Sequence, residues 1–188
     1  MDKIILASES PRRKEYFSLL GLDYEAIGAN IDERANKSMA PDDLVEDLAY
    51  QKAYAVFKNH RNRTVIGCDT IVYAANEILG KPADEEDAKR MLGILSGKTH
   101  FVYTGVSIIT EKMSRTFHNV TEVVFCDMSD EEISTYVKSG EPMDKAGAYA
   151  AQGLGSKFIK EIRGDFFTVV GLPLSQIYQE LKAMGIMI

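Results

Sequence analysis

Apolar positions along this chain follow two rhythms. Short runs rich in β-branched residues predict strands, and longer stretches with apolar residues every three or four positions predict helices. Lys3 to Ala7 reads as a buried strand, and a helix follows from Ser10-Pro11 with Tyr16, Phe17, Leu19 and Leu20 on its apolar side. Ser10 is a good N-cap, Pro11 suits the first helical position because its missing N–H has no helical partner there, and Gly21 marks the stop. Leu22 to Ile27 predicts a second strand, and Gly28 to Ala40 a polar loop. Pro41 opens a long helix to about His60, whose buried stripe is Leu44, Val45, Leu48, Ala49, Ala53, Val56 and Phe57.

Thr64 to Cys68 predicts a strand that delivers Asp69-Thr70 to its C-terminal end, where α/β proteins gather their ligands, and Ile71 to Tyr73 continues it. A turn at Ala75-Asn76-Glu77 leads to Gly80-Lys81-Pro82, and Asp84 caps a helix that runs to Leu95 and stops at Gly97. Two long alternating strands, His100 to Thr110 and Arg115 to Cys126, predict an antiparallel pair about a turn at Glu111 to Ser114. Ser129 and Glu132 form a capping box for a helix to Ser139, ended by Gly140. The tail reads as a Gly/Ala-rich segment over 141–155, a strand near 157–163 and a helix from Pro173 to about Met184. This order predicts an α/β fold of the mixed α+β kind, without strict βαβ repetition. With 188 residues and no Pro/Gly/Ser linker, a single domain over 1–188 is expected.

Charge narrows the partners. A net charge of −6 argues against a general nucleic-acid binder, which needs a basic face to exchange for counterions. No stretch approaches the roughly 20 apolar residues of a membrane span, and Ile4 to Ala7 is too short for a signal peptide's apolar region. Cys68 and Cys126 fit neither a disulfide framework nor a CxxC pair, so both are expected to be small buried residues in a reducing compartment, the cytoplasm.

Arg12, Arg13 and Lys14 fall in the first turn of a helix, where cations oppose the positive end of the helix dipole. A bound phosphate removes that conflict, because guanidinium forks and unpaired N–H groups both suit phosphate oxygens. Glu33, Lys52, Asp69 and Lys81 add mixed acids and bases to the set. Such a set suits a metal–nucleotide site: carboxylates take Mg²⁺ or Mn²⁺ through oxygen, a base prepares water, and cations balance the phosphates. Taken singly, each has a plainer reading: Asp32-Glu33-Arg34 as a solvated loop, Lys52 as a snorkelling helix lysine, Asp69-Thr70 as a cap or turn. Gly93 to Thr99 imitates a P-loop, but its first glycine is one residue too close and the segment ends a helix instead of opening one. His60, His100 and His118 lack metal-ligand spacing and read as surface or packing residues.

Seven blocks carry a further signal: Leu6-Ala7-Ser8-x-Ser10-Pro11-Arg12-Arg13, Gly67-x-Asp69-Thr70, Gly80-Lys81-Pro82, Thr104-Gly105-Val106, Ser139-Gly140-Glu141-Pro142-x-Asp144-Lys145-Ala146-Gly147-x-Tyr149, Gln152-Gly153 and Val170-Gly171-Leu172-Pro173. In these blocks the chain closely resembles the Maf family, also called septum-formation inhibitor proteins, from end to end. The resemblance implies a nucleoside triphosphate pyrophosphatase that uses a divalent cation, Mg or Mn. It also implies an elongated two-lobed fold similar to inosine triphosphate pyrophosphatases, with a mixed sheet flanked by helices and a cleft between the lobes. Asp69 matches the family's proton acceptor, Glu33 joins it at the metal, and Arg13, Lys52 and Lys81 match positions that handle phosphate. Ser8 belongs to the substrate-binding set, and Arg12, Thr70 and Gln152 resemble the branch that prefers dTTP and UTP. The resemblance leaves room for a homodimer. Phe166-Phe167 stands where a more polar segment is expected. Two rivals remain on these grounds: a non-enzymatic nucleotide-binding regulator of cell division, and a phosphatase that removes the γ-phosphate.

Overall fold

A computed structural model describes residues 4–31 and 39–187. Strand β1 (Ile4–Leu6) leads through Ser8 into helix α1 (Pro11–Phe17), where Ser10 Oγ accepts the Arg13 N–H at 3.5 Å. A 3-10 turn over Ser18–Leu20 follows, and Gly21 closes it at φ +67°. This tightening takes Leu19 off the apolar stripe, and it is exposed, contrary to the periodicity; Phe17 is the buried anchor. Strand β2 is Tyr24–Ala26, and helix α2 spans Pro41–Phe57 with Leu44, Val45, Leu48, Ala49, Ala53 and Val56 buried as expected.

Strand β3 (Val65–Ala74) runs unbroken through Asp69-Thr70 into the predicted continuation over Ile71 to Tyr73. Ala75 and Asn76 both take positive φ, at 50° and 62°, and close a two-residue hairpin onto β4 (Glu77–Leu79), a three-residue strand too short to show in the apolar pattern. Asp69 therefore lies within a strand and not at its end. The expectation survives in another form. β1 pairs in parallel with β3 at Val65 and Ile66 and then stops, so Asp69 lies beyond the end of that pairing.

Helix α3 (Glu85–Leu95) is capped by Asp84, whose carboxylate accepts the Asp87 N–H at 2.8 Å. Gly97, at φ +66°, ends the segment before β5 (Thr99–Ile109), so the P-loop imitation runs from helix to strand and has no phosphate-cradling geometry. β5 turns at Thr110–Met113 into β6 (Ser114–Phe125). Ser129 and Glu132 form the predicted capping box on α4 (Asp130–Lys138). Short 3-10 turns occupy most of 141–158, so β7 begins only at Ile159 and runs to Arg163. Asp165 caps a four-residue helix α5 (Phe166–Val169), which the pattern had not shown, and α6 (Leu174–Ala183) completes the order. Cys126 is exposed, against the expectation of burial, because it follows buried Phe125 and so falls on the outward side of the alternation, one residue past the end of β6.

The seven strands form one mixed sheet in the order β2-β1-β3-β5-β6-β7, with β4 paired on β3. The chain divides into two compact units. The first comprises Met1–Asp69, Thr104–Asn119 and Gly171–Ile188, and the second Thr70–Tyr103 and Val120–Val170. In the first, Ile5, Ala7, Ala53, Val56, Val65 and Ile109 build a core between strand and helix. In the second, α3 packs on α4, and His100, Phe125 and Tyr149 make an edge-to-face aromatic cluster. No helix among the described residues is long and apolar enough to cross a membrane.

Candidate active site

Two glycines explain how α2 comes to serve β3. A Cβ on Gly67 would lie 2.6 Å from both the Ala49 carbonyl oxygen and the Ala53 nitrogen, and one on Gly105 would lie 2.2 Å from the Val45 carbonyl oxygen. Only hydrogen in place of a side chain lets the helix backbone rest so close to the sheet. Gly67 and Asp69 are two apart in a strand and share a face. Lys52, between Ala49 and Ala53 in sequence, thus meets Asp69, and the ammonium donates to the carboxylate Oδ1 in a direct ion pair. The two side chains retain only 14% and 10% of their exposure, so the pair is largely withdrawn from water and Lys52 is not a snorkelling surface lysine.

Arg13 is anchored from another motif. Its Nε donates to the Gly171 carbonyl at 2.8 Å, and Gly171 presents that carbonyl from φ +90°, a conformation suited to glycine. Cys68, buried beside Asp69, feels the charges of Arg13, Lys52 and Asp69 together. Burial nevertheless dominates and pushes its thiol up to about 11, so Cys68 stays protonated and is no nucleophile. Ser8 is buried and its Oγ accepts the Ser10 N–H at 3.2 Å, which shapes the turn into α1. With seven residues, α1 has a modest dipole, so the cationic side chains carry the anion argument. Arg12 is partly buried on the same turn.

The second unit holds Thr70, Lys81 and Gln152. Thr70 is partly buried next to Asp69 in β3. Lys81 is exposed after Gly80, whose carbonyl accepts the Gly147 N–H at 3.0 Å. Gly147 sits at φ +68°, and a Cβ there would meet Val72 at 2.8 Å. The Gly80-Lys81-Pro82 and Ala146-Gly147 motifs are therefore one structural feature. Gln152 is exposed on a turn in which the Gly153 N–H donates to the Ala150 carbonyl at 3.4 Å.

Glu33 lies outside the described residues. Among the described residues, no group of three or more His, Cys, Asp or Glu side chains is gathered to hold a metal ion. Asp69 alone still suits a hard cation of the Mg²⁺ type, which takes one or two carboxylates and completes its shell with water and substrate phosphates. An ion-paired carboxylate is a group that can take a proton from water, and an ammonium and an anchored guanidinium are groups that can meet phosphate oxygens. The Gly67 and Gly171 contributions were not drawn from the apolar pattern. The two-residue spacing of Gly67 and Asp69 is the available signal for the first, and the Val170-Gly171-Leu172-Pro173 block marks the second without linking it to Arg13, 158 residues away.

Comparison with known proteins gives this geometry a context. Residues 3–184 match the family described as Maf-like protein. A protein of Bacillus cereus named dTTP/UTP pyrophosphatase is 50% identical over 99% of this chain and 97% of its own length. One of Bacillus mycoides with the same name is 51% identical over 97% of this chain and 95% of its own. Among solved structures, the Staphylococcus aureus Ham1 protein matches at TM-score 0.56 and 16% identity, covering 97% of this chain and all of that one. A HAM1 protein from Coxiella burnetii matches at 0.58 and 17% with the same coverage. These two likenesses establish the mixed α/β fold.

Proposed function

The chain belongs to the Maf-like protein family, and we propose on that premise that it hydrolyses dTTP and UTP between the α- and β-phosphates, releasing the monophosphate and pyrophosphate. The Lys52–Asp69 ion pair carries this reading, in a chain half identical to proteins bearing the name dTTP/UTP pyrophosphatase. A mere nucleotide binder needs cations, and a withdrawn carboxylate facing the same place would repel its ligand. A hydrolase needs both.

Asp69 acts as the general base that takes the proton of the attacking water. Lys52 pairs with that carboxylate in a setting poor in water, then shares its charge with the incoming phosphates. Arg13, held at Nε by Gly171, offers a guanidinium of fixed orientation to the phosphate oxygens. Lys81 adds a flexible cation for the departing pyrophosphate. Asp69 and Glu33 would hold a divalent cation, Mg²⁺ or Mn²⁺, which when bound neutralises phosphate charge. Ser8 shapes the binding turn, and Arg12, Thr70 and Gln152 set the preference for the base. The amide of Gln152 offers the donor and acceptor that a pyrimidine edge requires, and the same match extends to modified pyrimidine triphosphates, a housecleaning task. Both cysteines are free, which supports the cytoplasm as the compartment.

The test is pyrophosphate release with Mg²⁺ or Mn²⁺ across dTTP, UTP, CTP, dGTP and 7-methyl-GTP, for the natural chain and Asp69→Asn. Release from dTTP and UTP is expected, reduced at least about a hundredfold in the variant. Release from 7-methyl-GTP alone overturns the base preference. Inorganic phosphate with diphosphate places the cut at the γ-phosphate, and tight binding without turnover makes the protein a regulator.

A further inference from the structure

The turn that carries Gln152 has the sequence Ala150-Ala151-Gln152-Gly153-Leu154-Gly155 and little side-chain bulk of its own to hold it. Its backbone is tied instead to two residues around the end of α4. The Ala150 N–H donates to the Tyr136 hydroxyl at 3.0 Å, and that hydroxyl donates to Glu141 Oε2 at 2.7 Å. The Leu154 N–H donates to Glu141 Oε1 at 2.9 Å and the Gly155 N–H to Oε2 at 3.0 Å. Three backbone donors, two residues before Gln152 and two and three after it, thus converge on one Tyr–Glu pair.

Glu141 is itself placed by the way α4 ends. Gly140 turns the chain at φ +76°, and Ser139 Oγ donates to the Tyr136 carbonyl at 2.6 Å while accepting the Glu141 N–H at 3.3 Å. The carboxylate then passes so close to the turn that a Cβ on Gly153 would lie 2.1 Å from Oε1, and one on Gly155 would lie 2.6 Å from the Tyr136 hydroxyl. Burial alone would raise the Glu141 carboxyl, but the bonds from Tyr136, Leu154 and Gly155, with the charge of Lys145, hold it below its ordinary range. It works as an anion.

We infer that Glu141, acting with Tyr136, is a positioning residue that fixes the turn on which Gln152 reads the base, and so governs substrate selectivity without touching the phosphates. The inference rests on the proposed base-reading role of Gln152. A carboxylate is needed because all three of its partners donate, and an amide at the same place would turn an N–H group toward one of them. Tyr136 also packs edge-on against Phe158, with ring centroids 5.4 Å apart, so removing its hydroxyl leaves its packing in place.

The experiment compares kcat and KM for dTTP and dGTP in the natural chain, Glu141→Gln, Tyr136→Phe, Gln152→Ala and the double variant Glu141→Gln/Gln152→Ala. Glu141→Gln is expected to cut the dTTP preference about tenfold, a change of about 1.4 kcal/mol, through KM with kcat within about twofold. Tyr136→Phe is expected to follow in the same direction. In the Gln152→Ala background, Glu141→Gln should then cost no further selectivity, since the two act as a unit. If Gln152→Ala loses the preference while Glu141→Gln and Tyr136→Phe keep it, or if both nucleotides suffer equally, the positioning role is overturned. If Gln152→Ala itself keeps the preference, the base-reading role of Gln152 falls and this inference with it.

Discussion

Cys68 and Asp69 are neighbours in β3 with opposite outcomes. The thiol is buried and held protonated, whereas the carboxylate meets an ammonium across the helix–sheet contact. His100 is the other residue whose surroundings decide its state. It is fully buried, its Nε2 lies 2.9 Å from the Tyr149 hydroxyl, and its Nδ1 has no hydrogen-bond partner. Burial lowers its pKa to about 4. The unfolded chain, with an ordinary histidine near pH 6.5, binds the proton first, so this contribution is complete above that value and is lost as the pH falls toward 4. The loss is at most about 3 kcal/mol. Urea unfolding at pH 7.5 and 4.5 should show a fall in stability that His100→Phe reduces. An identical fall in the variant would assign the acid sensitivity elsewhere.

At the scale of elements, α2 packs on β3 and β5 at Gly67 and Gly105, and this contact brings Lys52 to Asp69. Gly67→Ala should displace the helix, destabilise the fold by about 1–3 kcal/mol and weaken turnover, since the Lys52–Asp69 pair depends on that distance. Gly93→Ala is the control: nothing lies within 4 Å of its added Cβ, and alanine in the interior of α3 should stabilise by up to about 1 kcal/mol. Thermal melts with pyrophosphate assays decide the matter, and equal behaviour of the two variants would remove Gly67 from its packing role.

At the scale of the whole molecule, the proposed activity makes a prediction about stability. A ligand that binds the folded chain should stabilise it by mass action. With Mg²⁺ and a dTTP analogue bridged by carbon between the α- and β-phosphates, at about a hundred times its Kd, the gain is about 2.7 kcal/mol. For a chain of this size the melting temperature should rise by roughly 5–10 °C. An adenosine analogue at the same concentration should raise it less. Equal rises would leave the base unread.

Local signals were legible in the sequence because local chemistry produces them. Ser10-Pro11, Asp84, the Ser129–Glu132 box, Gly21 and Gly97 each satisfy or end a helix with a side chain or a positive φ available within a few residues. The buried stripe of α2 followed from its period. The motif residues Arg13, Lys52 and Asp69 could be named from their order along the chain, yet composition explained none of them singly. Tertiary structure decided that Lys52 pairs with Asp69, that Gly171 holds Arg13, and that Glu141 and Tyr136 hold the turn of Gln152. It also exposed Leu19 and Cys126. The physical reason is one of range. Caps and periodicity depend on neighbours within a turn of helix, whereas ion pairs and backbone anchors join residues that only the packing of helix on sheet brings together.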